Sequence, residues 1–169
     1  GSLMRTFLLV TLAALVTSCA SSPRYAYRPT PETERQDAPG DLAGHAAADY
    51  RVPERRPRGD VQIAAIGVNR IERPRSVRAL QVRMVVHNGD GEVWIVDAYE
   101  QKGMINGLPR KEPVLATCDG DVMPLAVLMP GDTRTIDLYY ELPPELAGAG
   151  AIPQVRVDWR VATPAGVVA

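Results

Sequence analysis

The stretch QVRVDWRVAT, residues 154–163, changes face at every position: Val155, Val157, Trp159 and Val161 fall on one side, Arg156, Asp158 and Arg160 on the other. A helix would scatter these side chains around its circumference, whereas a half-buried strand sorts them cleanly. The same period recurs in RALQVRMVVHN, residues 78–88, where Leu80, Val82, Met84 and Val86 oppose Gln81, Arg83 and His87. In TRTIDLYYEL, residues 133–142, Ile136, Leu138 and Tyr140 alternate with Asp137, Tyr139 and Glu141. VQIAAIGV (61–68), PVLATC (113–118) and DVMPLAVL (121–128) add shorter apolar segments, and DGD and MPGD supply turn chemistry after the last two. Asn88-Gly89 and Asp90-Gly91 tolerate positive φ and predict a hairpin, its second strand running from Glu92 to Glu100 and carrying Trp94. PPELAGAGA, residues 143–151, reads as one helical turn or an irregular crossing.

Six or seven strands between residues 60 and 169, with almost no helical period, predict an all-β fold: an antiparallel sandwich of about seven strands. From Asp60 to Pro164 the chain loosely resembles immunoglobulin-like modules of bacterial envelope proteins, in which an Asn-rich turn after a VRVxV strand and a late PG turn recur. That resemblance implies a fold and leaves function open.

The N-terminal segment has a different character. From Met4 the chain runs MRTFLLVTLAALVTSC: a basic residue, Arg5, then an apolar run from Phe7 to Val16, then small residues. The run is shorter than the roughly 20 residues that span a bilayer as a helix, and its layout is that of a secretory signal peptide. Gly1, Ser2 and Leu3 precede the start methionine and read as a cloning remnant, so residues 1–18 stand apart from the fold. Val16, Thr17, Ser18 and Cys19 resemble the lipobox of bacterial lipoproteins, with Val and Ser in place of the commoner Leu and Gly or Ala. The resemblance implies that Cys19 carries a diacylglyceryl group and an acylated amino terminus. Two or three acyl chains anchor a protein durably where one does not. Ala20, rather than Asp, follows the cysteine, which in that family implies the outer membrane, facing the periplasm. A lipidated Cys19 cannot pair with Cys118, and Cys118 is then a lone thiol, most simply buried, otherwise exposed or bonded to a partner.

Residues 20–59 show no sustained period and contain six prolines, the small-residue patch GDLAGHAAADY and the basic RVPERRPR. Such composition predicts a disordered linker, reaching from Cys19 at position 19 to residue 59, with an end-to-end distance of about 35 Å. Its Arg51, Arg55, Arg56 and Arg58 either stay solvated or touch anionic headgroups. His45 has no second ligand nearby. The net charge of -1 gives no reason to expect nucleic acid as a partner. Charge is nevertheless segregated: Arg51–Arg83 holds nine arginines against three acids, and Met84–Glu145 eleven acids against four basic residues.

No residue set predicts catalysis. His87 is the single histidine after residue 60 and Ser76 the single serine, the latter in the Arg-rich RPRSVR loop. Copper would need His87 with Met84, Met104, Met123 and Met129, yet Met84 and His87 alternate onto opposite faces. Calcium would need Asp119 and Asp121 with Asp90 or Asp97, without the spacing of an EF-hand loop; turn formation explains those aspartates better. No cofactor and no metal are expected. Trp94 and Trp159 read as core, and an aromatic content of 5% argues against a sugar platform.

The longest connection within the domain is EQKGMINGLPRKEP, residues 100–113. Loops at a sandwich edge commonly carry recognition, so Met104, Ile105, Leu108 and Arg110 are the expected partner-binding residues. The reading that follows is a membrane-anchored envelope lipoprotein acting as a non-enzymatic protein-binding or scaffolding module of an envelope or secretion assembly. The alternative is a periplasmic binder of a small ligand, metal or glycan.

Overall fold

The computed structural model describes residues 25–29, 38–53, 56–147 and 154–168, and of 25–29, 38, 39 and 147 the backbone alone. The signal-like segment and Cys19 lie outside the described residues. In chain order the elements are β1 (Tyr25–Pro29), β2 (Ala38–Leu42), β3 (His45–Val52), β4 (Gly59–Ile71), β5 (Val77–Asn88), β6 (Trp94–Asp97), a 3-10 turn (Ala98–Glu100), β7 (Lys102–Ile105) and β8 (Leu115–Cys118). There follow β9 (Asp121–Val122), β10 (Leu125–Leu128), β11 (Thr133–Glu141), the single-turn α1 (Pro144–Ala147), β12 (Val155–Trp159), β13 (Ala162–Thr163) and β14 (Gly166–Val167). Among the described residues no helix is long and apolar enough to cross a membrane.

The fold is all-β. Seven strands form one antiparallel sheet in the order β2-β3-β4-β5-β11-β8-β9. A three-stranded sheet, β1-β12-β7, and a four-stranded sheet, β10-β6-β13-β14, complete it; only β1 runs parallel to its neighbour. Register builds the core, because alternate residues share a face. Ile63, Met84 and Ile136 stand opposite one another across β4, β5 and β11, as do Ala65, Val82 and Leu138. Tyr50, Val61 and Val86 extend the same row into β3. All are buried.

Both smaller sheets cover this one face. The Tyr50 ring meets Trp159 of β12 edge to face, and the Tyr140 hydroxyl donates to the Gln101 carbonyl at 2.9 Å. Two glycines allow the close approach. A Cβ at Gly103 of β7 would fall 2.6 Å from the Tyr140 ring, and one at Gly59 of β4 would fall 2.5 Å from the ring of Trp94.

Three expectations need correction. The linker expected up to residue 59 ends earlier, because β2 and β3 are strands of the main sheet, with Ala48, Tyr50 and Val52 buried. In this segment HAAADYRV, residues 45–52, has alanines where strands usually carry larger residues, so its alternation is faint in sequence; Ala43 and Gly44, both at positive φ, close the β2–β3 hairpin. The hairpin expected at residues 88–91 does not form, since β5 is already flanked by β4 and β11 and has no free edge. Instead the chain crosses to the other layer. Asn88, fully buried, donates to the carbonyls of Glu92 and Leu128 at 2.8 and 2.9 Å and accepts from the Asp90 amide. Asp90 in turn accepts from Trp94 Nε1 and pairs with Arg58 at 2.8 Å.

Third, two segments expected as single strands divide. Pro124, which has no N–H, separates β9 from β10, and these belong to different sheets. Gln101 divides QVRVDWRVAT into β12 and β13. Its fully buried amide donates to the carbonyls of Asp97 and Arg160 and accepts from the Arg160 amide.

Candidate functional site

The four residues expected to bind a partner are not one surface. Ile105 closes β7 with its side chain fully buried, so it belongs to the core and the expectation fails there. Met104 is half-buried in the same strand, opposite Arg156. Arg110 pairs with the buried carboxylate of Asp158 at 3.0 Å, and Arg156 holds the same carboxylate with bonds of 2.8 and 2.9 Å. Arg110 thus ties its loop to β12, leaving Leu108 as an isolated exposed side chain.

The residues considered for chemistry are equally dispersed. Met84 lies in the core, while His87 on the opposite face bonds through Nδ1 to Thr133 Oγ1 at 2.9 Å. Asp97 accepts from the Tyr99 amide and so caps the 3-10 turn. Asp119 accepts from the Thr135 amide at 2.9 Å and from Arg134 at 3.0 Å, and these two bonds hold its carboxyl below the usual range, the amide contributing most. Asp119 and Gly120, both at positive φ, form the two-residue β8–β9 hairpin, the place where an Asp-Gly turn signal does act. Beside it the Cys118 thiol is buried and unpaired, and burial, with the Asp119 charge second, pushes its pKa up. Among the described residues no three His, Cys, Asp or Glu side chains are placed to hold a metal ion.

Exposed apolar surface gathers elsewhere, at the corner made by β9 and β10. Val122, Met123, Leu125, Val127 and Met129 are all exposed, Val122 by 73%. Residues 122–131 contain no charged side chain. β9 is an edge strand of the seven-stranded sheet and β10 an edge strand of the four-stranded sheet, joined through Met123 and Pro124, and along β10 Leu125 and Val127 are exposed while Ala126 and Leu128 are buried. Opposite Leu125 and Val127 on β6 are Asp97 and Ile95, and Ile95 in turn faces Ala162 of β13.

Hydrogen-bond direction sharpens this edge. The Ala98 amide donates to the Pro124 carbonyl at 2.8 Å, so by antiparallel alternation Ala126 and Leu128 also turn their backbone groups toward β6. The N–H and C=O groups of Leu125 and Val127 therefore face outward. Natural edge strands are usually blunted by charge, and β10 carries none. The sequence shows these residues only as an alternating strand; which edge they occupy depends on strand order.

Next to this corner a cleft of about 380 Å3 opens between the layers, where β8 and β9 face the 3-10 turn. Its walls are formed by Pro74, Pro113, Val114, Leu115, Val122 and Pro124, with Arg73 and Tyr99 at the side. No family model, curated protein or solved structure matches the chain.

Proposed function

We propose that the chain is an envelope lipoprotein, anchored through lipid on Cys19 in the outer membrane, whose all-β domain takes the immunoglobulin-like sandwich form and serves as a non-enzymatic protein-binding module. The docking element is β10. A partner supplies an extended strand that pairs with the outward N–H and C=O groups of Leu125 and Val127 and covers the apolar corner. One observation carries this reading: five of the eight large exposed hydrophobic side chains among the described residues fall within Val122–Met129, beside an uncharged strand edge. Large contiguous apolar patches on soluble domains mark interaction sites, and strand addition is a common mode of peptide recognition.

The experiment is affinity capture from gently solubilised membranes with the native chain and with Val127→Lys, which places a charge on the edge without touching the core. Stoichiometric recovery of a partner by the native chain and its loss with Val127→Lys is the expected result. Recovery of the protein alone, or of the same partner by both, removes the reading. In parallel, Cys19→Ala releases the protein into the soluble fraction; unchanged membrane association rejects the anchor.

A further inference from the structure

The cleft between β8, β9 and the 3-10 turn has a chemistry of its own. Its volume, about 380 Å3, lies at the lower end of the roughly 300–1,000 Å3 typical of small-ligand sites. Of the side chains lining it, only Arg73 and Tyr99 carry a polar atom. Arg73 is exposed and makes no ion pair among the described residues, in contrast to neighbouring Arg70 and Arg75, which pair with Glu72 and Glu141. The Tyr99 hydroxyl, on a half-exposed ring, has no hydrogen-bond partner among the described residues. Three wall residues, Pro74, Pro113 and Pro124, have no N–H to offer a peptide or a sugar and hold their backbone at fixed φ. The cleft is thus apolar, rigid and marked by one unpaired cation with one hydroxyl.

From this we propose that the cleft binds an aliphatic chain ending in one anionic group, the chain lying between the layers and the anionic end meeting Arg73 and Tyr99. A sugar needs several converging hydrogen-bond groups, and a nucleotide more than one cation; the cleft supplies neither. An aliphatic chain needs only area removed from water, and a preformed pocket spares it much of the ordering cost of binding. Two sources share this chemistry, a free fatty acid with its carboxylate and a lipid phosphate monoester. The cleft shares Val122 with the apolar corner, but ligand binding by the chain alone involves no partner, so its outcome is separate from that of strand addition at β10.

The test is titration calorimetry of the full chain with octanoate, decanoate and dodecanoate below their micellar concentrations, with decanol as the uncharged control and monododecyl phosphate as the second anion. One-to-one saturable binding is expected, tightening by about tenfold for each two added carbons until the cleft is filled. Arg73→Gln weakens decanoate by about tenfold and leaves decanol unchanged. Val114→Trp, which fills the cleft from its rim, abolishes binding; should that variant lose its near-ultraviolet dichroism, Val122→Trp takes its place. Preference for dodecanoate assigns the carboxylate source and preference for the phosphate the lipid source, and either supports the site. No saturable binding by any anion, equal decanoate affinity for Arg73→Gln and the native chain, or full binding by the filled but folded variant each overturns it.

Discussion

Tyr50 and Trp159 meet edge to face with ring centroids 4.8 Å apart and planes inclined at 61°. The contact joins a strand near the start of the described chain to one near its end, and Tyr50 is 4% exposed, Trp159 fully buried. Aromatic pairs in this geometry add to what their buried area contributes. Tyr50→Ala is therefore expected to destabilise the fold by about 3–5 kcal/mol, in the range for large aromatic truncations. Denaturant titration checks it. A chain starting at residue 60 is expected to lose cooperative unfolding altogether, because Val61 and Ile63 lose the neighbours β3 supplies.

Asn88 is the buried polar group that turns the chain from one layer to the other. Its Nδ2 serves two carbonyls and its Oδ1 one amide. Asn88→Ala strips all three bonds and leaves their partners enclosed, at an expected cost of about 2–4 kcal/mol. Asn88→Asp is expected to be at least as harmful, since a carboxylate can donate nothing to the carbonyls of Glu92 and Leu128. Urea midpoints of the two variants separate lost volume from lost donors.

Asp119 makes stability depend on pH in a definite direction. Its folded pKa lies below the ordinary 3.8, chiefly through the Thr135 amide and then Arg134. A group depressed in the folded state contributes stability that is complete above the unfolded value and is lost as pH falls through the folded one. Asp119→Asn, which tolerates the same positive φ of 51°, removes the titration and keeps the turn. The native chain is expected to be the more stable at neutral pH and to lose that advantage as pH falls below 3.8. Midpoints measured at neutral pH and at about pH 2.5 test it.

Cys118 is 7% exposed and its thiol pKa is raised, mainly by burial. Alkylation by iodoacetamide at pH 8 is expected to run at least about a hundredfold slower in the native protein than in urea. Comparable rates in the two would place the thiol at the surface.

Strand identity was legible wherever large apolar residues alternate with polar ones. The strands read over 78–88 and 133–142 are found as Val77–Asn88 and Thr133–Glu141, and the one read over 154–163 is a strand in its first half, Val155–Trp159; the core face of each is the face its alternation indicates. Trp94 and Trp159 read as core and are fully buried. The β2–β3 hairpin escaped notice because alanines give weak contrast between faces. Its buried residues, Ala48, Tyr50 and Val52, belong to the core between the layers, where Trp159 of the opposite layer meets Tyr50.

Partnership was not legible. The pattern NGDG is compatible with a hairpin, yet whether a turn closes one depends on whether the strand before it has a free edge, which β11 removes from β5. The same holds for the apolar corner and the cleft. Val122, Leu125 and Val127 resemble core residues in sequence, yet they are exposed, on strands that end their sheets. Local alternation reports which side of a strand avoids water, since side chains project with a period of two. Strand order, edges and the gap between layers are set by long-range pairing, in which residues tens of positions apart compete for the same backbone groups. That competition was resolved only in the tertiary structure.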